Sequence, residues 1–147
     1  MSILLPRLIS GALAAGTWRD PGSAGLRRAL GDYPGLPDLH LFEQPEIMSD
    51  VARQLDASGY VDDPEFCLTR AADLSEAGDD DRLVFDSALF IAGSVIPGDD
   101  VFVTLDLRSD HENPPVLVLD WTRPIPGRWV PVMRLNALVT GLTELST

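Results

Sequence analysis

The chain has 147 residues, which suits one domain, and its 45% hydrophobic and 23% charged residues are ordinary for a globular protein, so disorder of the whole chain is excluded. Its net charge is −12, and all eleven basic residues are arginine, so Schiff-base and lysine general-base chemistry are excluded. The single cysteine, Cys67, excludes a disulfide within the chain.

Charge is distributed unevenly. Residues 1–40 carry four Arg against three Asp, and residues 121–147 carry three Arg against Glu144. Residues 41–120 carry four Arg against nineteen acidic residues. Such a field repels nucleic acid and anionic membrane and attracts basic proteins. The alternative is that the acidity serves solubility alone.

In chain order, Leu4, Leu5, Leu8, Ile9, Ala12 and Leu13 repeat at helical spacing, with Ser2 as a cap, Pro6 in the first turn and Gly16 as the stop. Arg7 interrupts this apolar stretch and no basic residue precedes it, the reverse of a secretory signal. No stretch approaches the length of a membrane span, and the expectation is a cytoplasmic protein. Asp20-Pro21-Gly22 marks a turn before a short helix over Ser23–Leu30 that ends at Gly31. Tyr33 to Pro45, with three prolines, is expected to be extended or looped. Met48, Val51, Ala52 and Leu55 predict a helix with Pro45 near its start and Gly59 at its end, and a helical turn is expected around Phe66. Ser75 to Asp81 reads as a solvated loop.

The second half changes period. Ala88–Ala92 is a short apolar run ending at Gly93, and Val101, Val103, Leu105 and Leu107 alternate with Phe102, Thr104 and Asp106 as a strand. Val116–Trp121 and Arg128–Met133 are further strands, and short Pro/Gly connections imply an antiparallel meander. Leu135, Leu138, Val139, Leu142 and Leu145 form a helical stripe fit to lie on the sheet. The expectation is a single α+β domain over 1–147, mainly helical and looped in 1–70, with the sheet and C-terminal helix in 85–145.

Residues suited to chemistry are few. His40 lies between two leucines in a Pro-rich stretch, and Ser94 follows Gly93 without the pattern of a nucleophile elbow. A Cys67/His111 pair is conceivable only if the fold brings the two together. Asp106, Asp110, His111 and Glu112 offer a divalent-metal alternative, although Asp106 by its alternation is also suited to face water. No phosphate loop, zinc spacing or basic aromatic patch is present, so no catalytic residue, metal or cofactor is assigned.

Leu89-Phe90-Ile91-Ala92-Gly93-Ser94, followed by Pro97-Gly98-Asp99-Asp100 with the strand to Leu107, and then Pro115–Trp121, resembles the central signature of the SMI1/KNR4 (SUKH) superfamily. Arg128-Trp129-Val130-Pro131-Val132 and the Leu135–Leu145 stripe look like that family's tryptophan-containing strand and last helix. The resemblance implies an α+β domain without catalytic residues, of the kind whose bacterial members are immunity proteins that bind and neutralise a toxin. On that reading the partner is a basic protein, a toxin domain, and neither nucleic acid nor membrane. Asp79, Asp80, Asp81, Asp99, Asp100, Asp110 and Glu112 are the candidate contacts, all expected in loops. Trp121 and Trp129 are either aromatic anchors at the interface or fillers of the core and its rim. The alternatives are a regulatory or scaffold protein of the same fold, or an enzyme built on the Asp106 to Glu112 group.

Overall fold

A computed structural model describes residues 4–71, 83–96 and 98–146. Three helices, α1 (Arg7–Ala15), α2 (Ser23–Ala29) and α3 (Pro45–Ala57), occupy the first part of the chain, with strand β1 (Leu39–Leu41) between the last two. Short segments β2 (Leu68–Thr69) and β3 (Leu83–Val84) come next and pair with each other in parallel. The meander is β4 (Ala88–Ser94), β5 (Phe102–Asp106), β6 (Pro115–Leu119) and β7 (Trp129–Arg134), and α4 (Leu135–Leu145) follows. β1 adds to its edge, giving a five-stranded antiparallel sheet in the order β1-β4-β5-β6-β7. The α+β architecture expected from the sequence is therefore the one observed.

The helix boundaries follow local chemistry. α1 begins at Arg7, later than the leucine spacing predicts, because Pro6 is extended (φ −54°, ψ 144°) and disfavours helix at Leu5. Leu4, assigned to the apolar stripe, is consequently 79% exposed. Gly16 ends α1 at φ +75°, and Gly59, just beyond α3, sits at φ +82°. Pro45 opens α3, where its missing N–H has no helical partner to lose.

The sequence predicts only an extended or looped segment where β1 lies. Its three residues fall in a proline-flanked stretch and pair with Ala92, Gly93 and Ser94, so the strand exists by tertiary contact. Its outer side is blunted, since the Ser23 hydroxyl donates to the Leu39 carbonyl (3.2 Å). β7, the other edge, carries Pro131.

Pairing across the sheet sorts the side chains. Val103, Leu105, Val116 and Val118 share one face and are fully buried. α2 and α4 cover that face: Gly31, just past α2, approaches Met133, which pairs with Val116, and Gly141 of α4 packs on Ala29 of α2. Phe90, Thr104, Leu117, Leu119 and Trp129 share the opposite face. There Trp129 lies edge-on to Phe90, and its indole N–H donates to the Phe66 carbonyl at 2.7 Å. Thr104 alternates with apolar neighbours yet is 0% exposed, because this face is covered too. Its hydroxyl donates to the Leu89 carbonyl (2.9 Å), which satisfies a polar group that would otherwise be costly to bury.

The loop between β5 and β6 fastens two helices. The Glu112 carboxylate accepts the N–H of Arg7 at the start of α1, and the Asn113 side-chain oxygen accepts the N–H of Asn136 in the first turn of α4. Neither helix has a capping side chain of its own at its N-cap residue, so each borrows one from this loop.

Candidate partner-binding surface

β4 and β5 run antiparallel, with Ala88 opposite Asp106 at one end and Gly93 opposite Phe102 at the other. The acidic residues singled out from the sequence divide between these ends. Asp99 and Asp100 lie on the β4–β5 turn, at the Gly93 end. Asp110 and Glu112 lie on the β5–β6 loop, at the Ala88 end. The seven residues of β4 put the two groups roughly 20 Å apart. Asp79, Asp80 and Asp81 fall outside the described residues.

The tryptophans divide as well. Trp129 is 7% exposed and belongs to the core. Trp121 is half-buried: its indole N–H donates to the Asp100 carbonyl (3.0 Å), and the Arg128 guanidinium lies 4.8 Å over its ring. Of the two, Trp121 is the more exposed.

The groups considered for metal binding or catalysis do not converge. Asp106 is clasped by Arg108, with three bonds from that side chain at 2.8–3.2 Å, so it is tied to a guanidinium and not simply turned to water. Asp110 accepts the N–H groups of Glu112 and Asn113 and shapes the loop. His111 meets the Leu4 carbonyl through Nε2 (2.8 Å), which requires a proton on that nitrogen. Glu112 is occupied as the cap of α1, and the Arg7 N–H bond holds its carboxyl below the usual carboxylate range. Among the described residues, no three His, Cys, Asp or Glu side chains are grouped to hold a metal ion. Cys67 is buried, with its Sγ near the carbonyls of Pro64 and Glu65, while His111 lies at the start of α1. His40 stands edge-on against Phe42 on β1. Among the described residues, no helix is long and apolar enough to cross a membrane.

A feature absent from the sequence reading lies at the Ala88 end. β1 pairs only with Ala92–Ser94, and α3 flanks the first half of β4 where β1 has stopped. Between them is an open cleft of about 640 Å³. Met48, Ala52, Phe85, Leu89 and Phe90 give it an apolar lining, and Leu5 joins them from the segment before α1. Glu46, Asp50, Asp56 and Asp86 also line it, against Arg53. Arg53 pairs with Asp50, and Arg70 reaches Asp56 from beside the cleft. Glu46 and Asp86 meet no arginine among the described residues, although Asp86 also accepts the Ala71 N–H (2.8 Å). The four-residue spacing of Glu46 and Asp50 on α3 was legible, but nothing in the sequence signalled that Phe85–Phe90 would come to lie beside them.

No family model, curated protein or solved structure matches this chain.

Proposed function

We propose that this protein is a non-catalytic binding domain, an immunity protein that neutralises a cognate bacterial toxin by docking a basic protein surface. The observation that carries this reading is the set of exposed carboxylates at the Ala88 end of the sheet. Glu46, Asp50 and Asp56 come from α3, Asp86 from the turn before β4, and Asp110 and Glu112 from the β5–β6 loop. Arg7, Arg53, Arg70 and Arg108 lie among them and leave an excess of negative charge. A surface of one net sign speeds encounter with a partner of the other sign and discriminates against like-charged ones. The resemblance to the SMI1/KNR4 superfamily supports the immunity role, and a toxin that acts on nucleic acid would itself be basic.

Co-expression with the product of a neighbouring toxin gene, followed by affinity purification at low salt, tests the reading. The expected result is a stoichiometric complex whose affinity falls markedly between low and high salt. Absence of a complex with any neighbouring product at low salt would sink it.

A further inference from the structure

We infer that the cleft between α3 and the first half of β4 seats a basic amphipathic segment of a protein partner, one that inserts an apolar side chain and sets arginine or lysine against the rim. This rests on the binding role proposed above and specifies where and how the partner is held. The cleft has the two chemistries such a segment requires, side by side. Its lining from Met48, Ala52, Phe85, Leu89 and Phe90 offers an aliphatic or aromatic side chain an escape from water. Its carboxylates outnumber Arg53, and Arg70 at its margin already engages Asp56. Among the described residues no arginine pairs with Glu46 or Asp86, and both are available to an incoming cation. An acidic or neutral segment could fill the same volume but would leave those carboxylates without a counter-charge.

Other surfaces carry less. The β4–β5 turn exposes Val95 and Ile96 beside Asp99, but two apolar side chains at a loop tip do not name an occupant. The Tyr33–Asp120 bond (2.5 Å) is a structural tie between the segment after α2 and the end of β6.

The test uses the full chain, labelled with ¹⁵N, and three short amidated peptides of equal length. One alternates arginine and leucine at helical spacing, one is arginine throughout, and one replaces the arginines of the first with glutamate. Amide shifts on adding the arginine–leucine peptide should concentrate on Leu5, Met48, Ser49, Ala52 and residues 85–90. Burying one leucine should make this peptide bind roughly tenfold more tightly than the all-arginine peptide. Ala52→Arg, which places a cation and its bulk in the cleft, should abolish those shifts while the melting temperature holds. If that variant fails to fold, the double variant Glu46→Gln/Asp86→Asn serves instead, since the oxygen of the new amide can still accept the Ala71 N–H. It should weaken binding roughly 2- to 30-fold, the range for losing two exposed ion pairs.

Shifts gathered at the β5–β6 loop would overturn the cleft as the seat while leaving the acidic-surface reading in place, whereas shifts gathered at the β4–β5 turn, or spread evenly, would overturn both. Equal affinity for the glutamate peptide would overturn the cationic occupant. No binding of either arginine peptide at low salt would bring down this inference and the acidic-surface reading together.

Discussion

On one face of the sheet, α2 and α4 lay regular apolar stripes over Val103, Leu105, Val116 and Val118, and the side-chain bonds that hold these helices, Ser23 to the Leu39 carbonyl and Asn113 to the Asn136 N–H, sit at their first turns. On the other, α3 lies beside Phe90 and short 3-10 turns lie beside Trp129, whose indole N–H fastens them through the Phe66 carbonyl, while Thr104 bonds within the sheet. Irregular backbone has unpaired carbonyls that a helix would have satisfied internally, and the buried Trp129 indole meets that need, while the Thr104 hydroxyl donates within the sheet to Leu89 on β4. Phe66 shows the pattern: its carbonyl takes the Trp129 N–H, and its ring stacks on Tyr60 and meets Trp121 edge-on. The helical face should therefore be sensitive to lost volume, and the irregular face to lost polar partners.

The strongest challenge to this contrast is Leu138→Ala, which opens a hole beneath α4 at a fully buried position. It should cost about 3 kcal/mol in urea denaturation without local rearrangement elsewhere. Trp129→Phe keeps an aromatic ring but strips the donor from the Phe66 carbonyl, and should cost about 2 kcal/mol. Hydrogen exchange should also quicken around residues 60–67 in that variant and not in Leu138→Ala. Thr104→Val preserves shape and removes only the hydroxyl donated to Leu89, for a loss of about 1 kcal/mol. If Thr104→Val proved neutral while a volume-reducing change at Phe90 did not, the two faces would differ in composition alone.

Acid titration gives the smallest effect. The Arg7 N–H bond lowers the Glu112 carboxyl from its ordinary 4.5, so the folded state binds that proton less readily than the unfolded one. Asp120 is lowered too: burial pushes it up, and bonds from Thr122 and Tyr33 with the charge of Arg123 outweigh burial. Both contributions are present above the ordinary carboxylate range and are lost as pH falls through the depressed values. Stability should therefore decline on acidification, and Glu112→Gln should show a shallower decline. An unchanged slope in that variant would remove the cap on α1 from the account.

Much of the scaffold was legible because local chemistry and tertiary structure agree. Gly31, Pro45 and Gly59 punctuate helices as their backbone angles require, and the Pro/Gly connections mark the meander. Legibility failed where a segment's state depends on a distant neighbour. β1 is a strand only through Ala92–Ser94, and Thr104 is fully buried although the alternation along its strand suits one exposed face. The carboxylates of the β5–β6 loop looked like surface contacts, yet Glu112 and Asp110 first serve to shape the loop and cap a helix. The cleft was invisible for the same reason, since its two walls, α3 and the start of β4, are separated in the chain by residues 58–87.

Adjacent residues Glu112 and Asn113 cap α1 and α4, and α1 rests on α4. As the polypeptide leaves the ribosome, α1 therefore emerges long before anything exists for it to dock on. Its cap arrives with the β5–β6 loop and its seat only with α4, so α1, translated before α2, α3 and α4, is among the last of these helices to settle. Synthesis that stops short of Leu135 would leave its apolar side, Ile9 and Ala12, open to aggregation or to quality control.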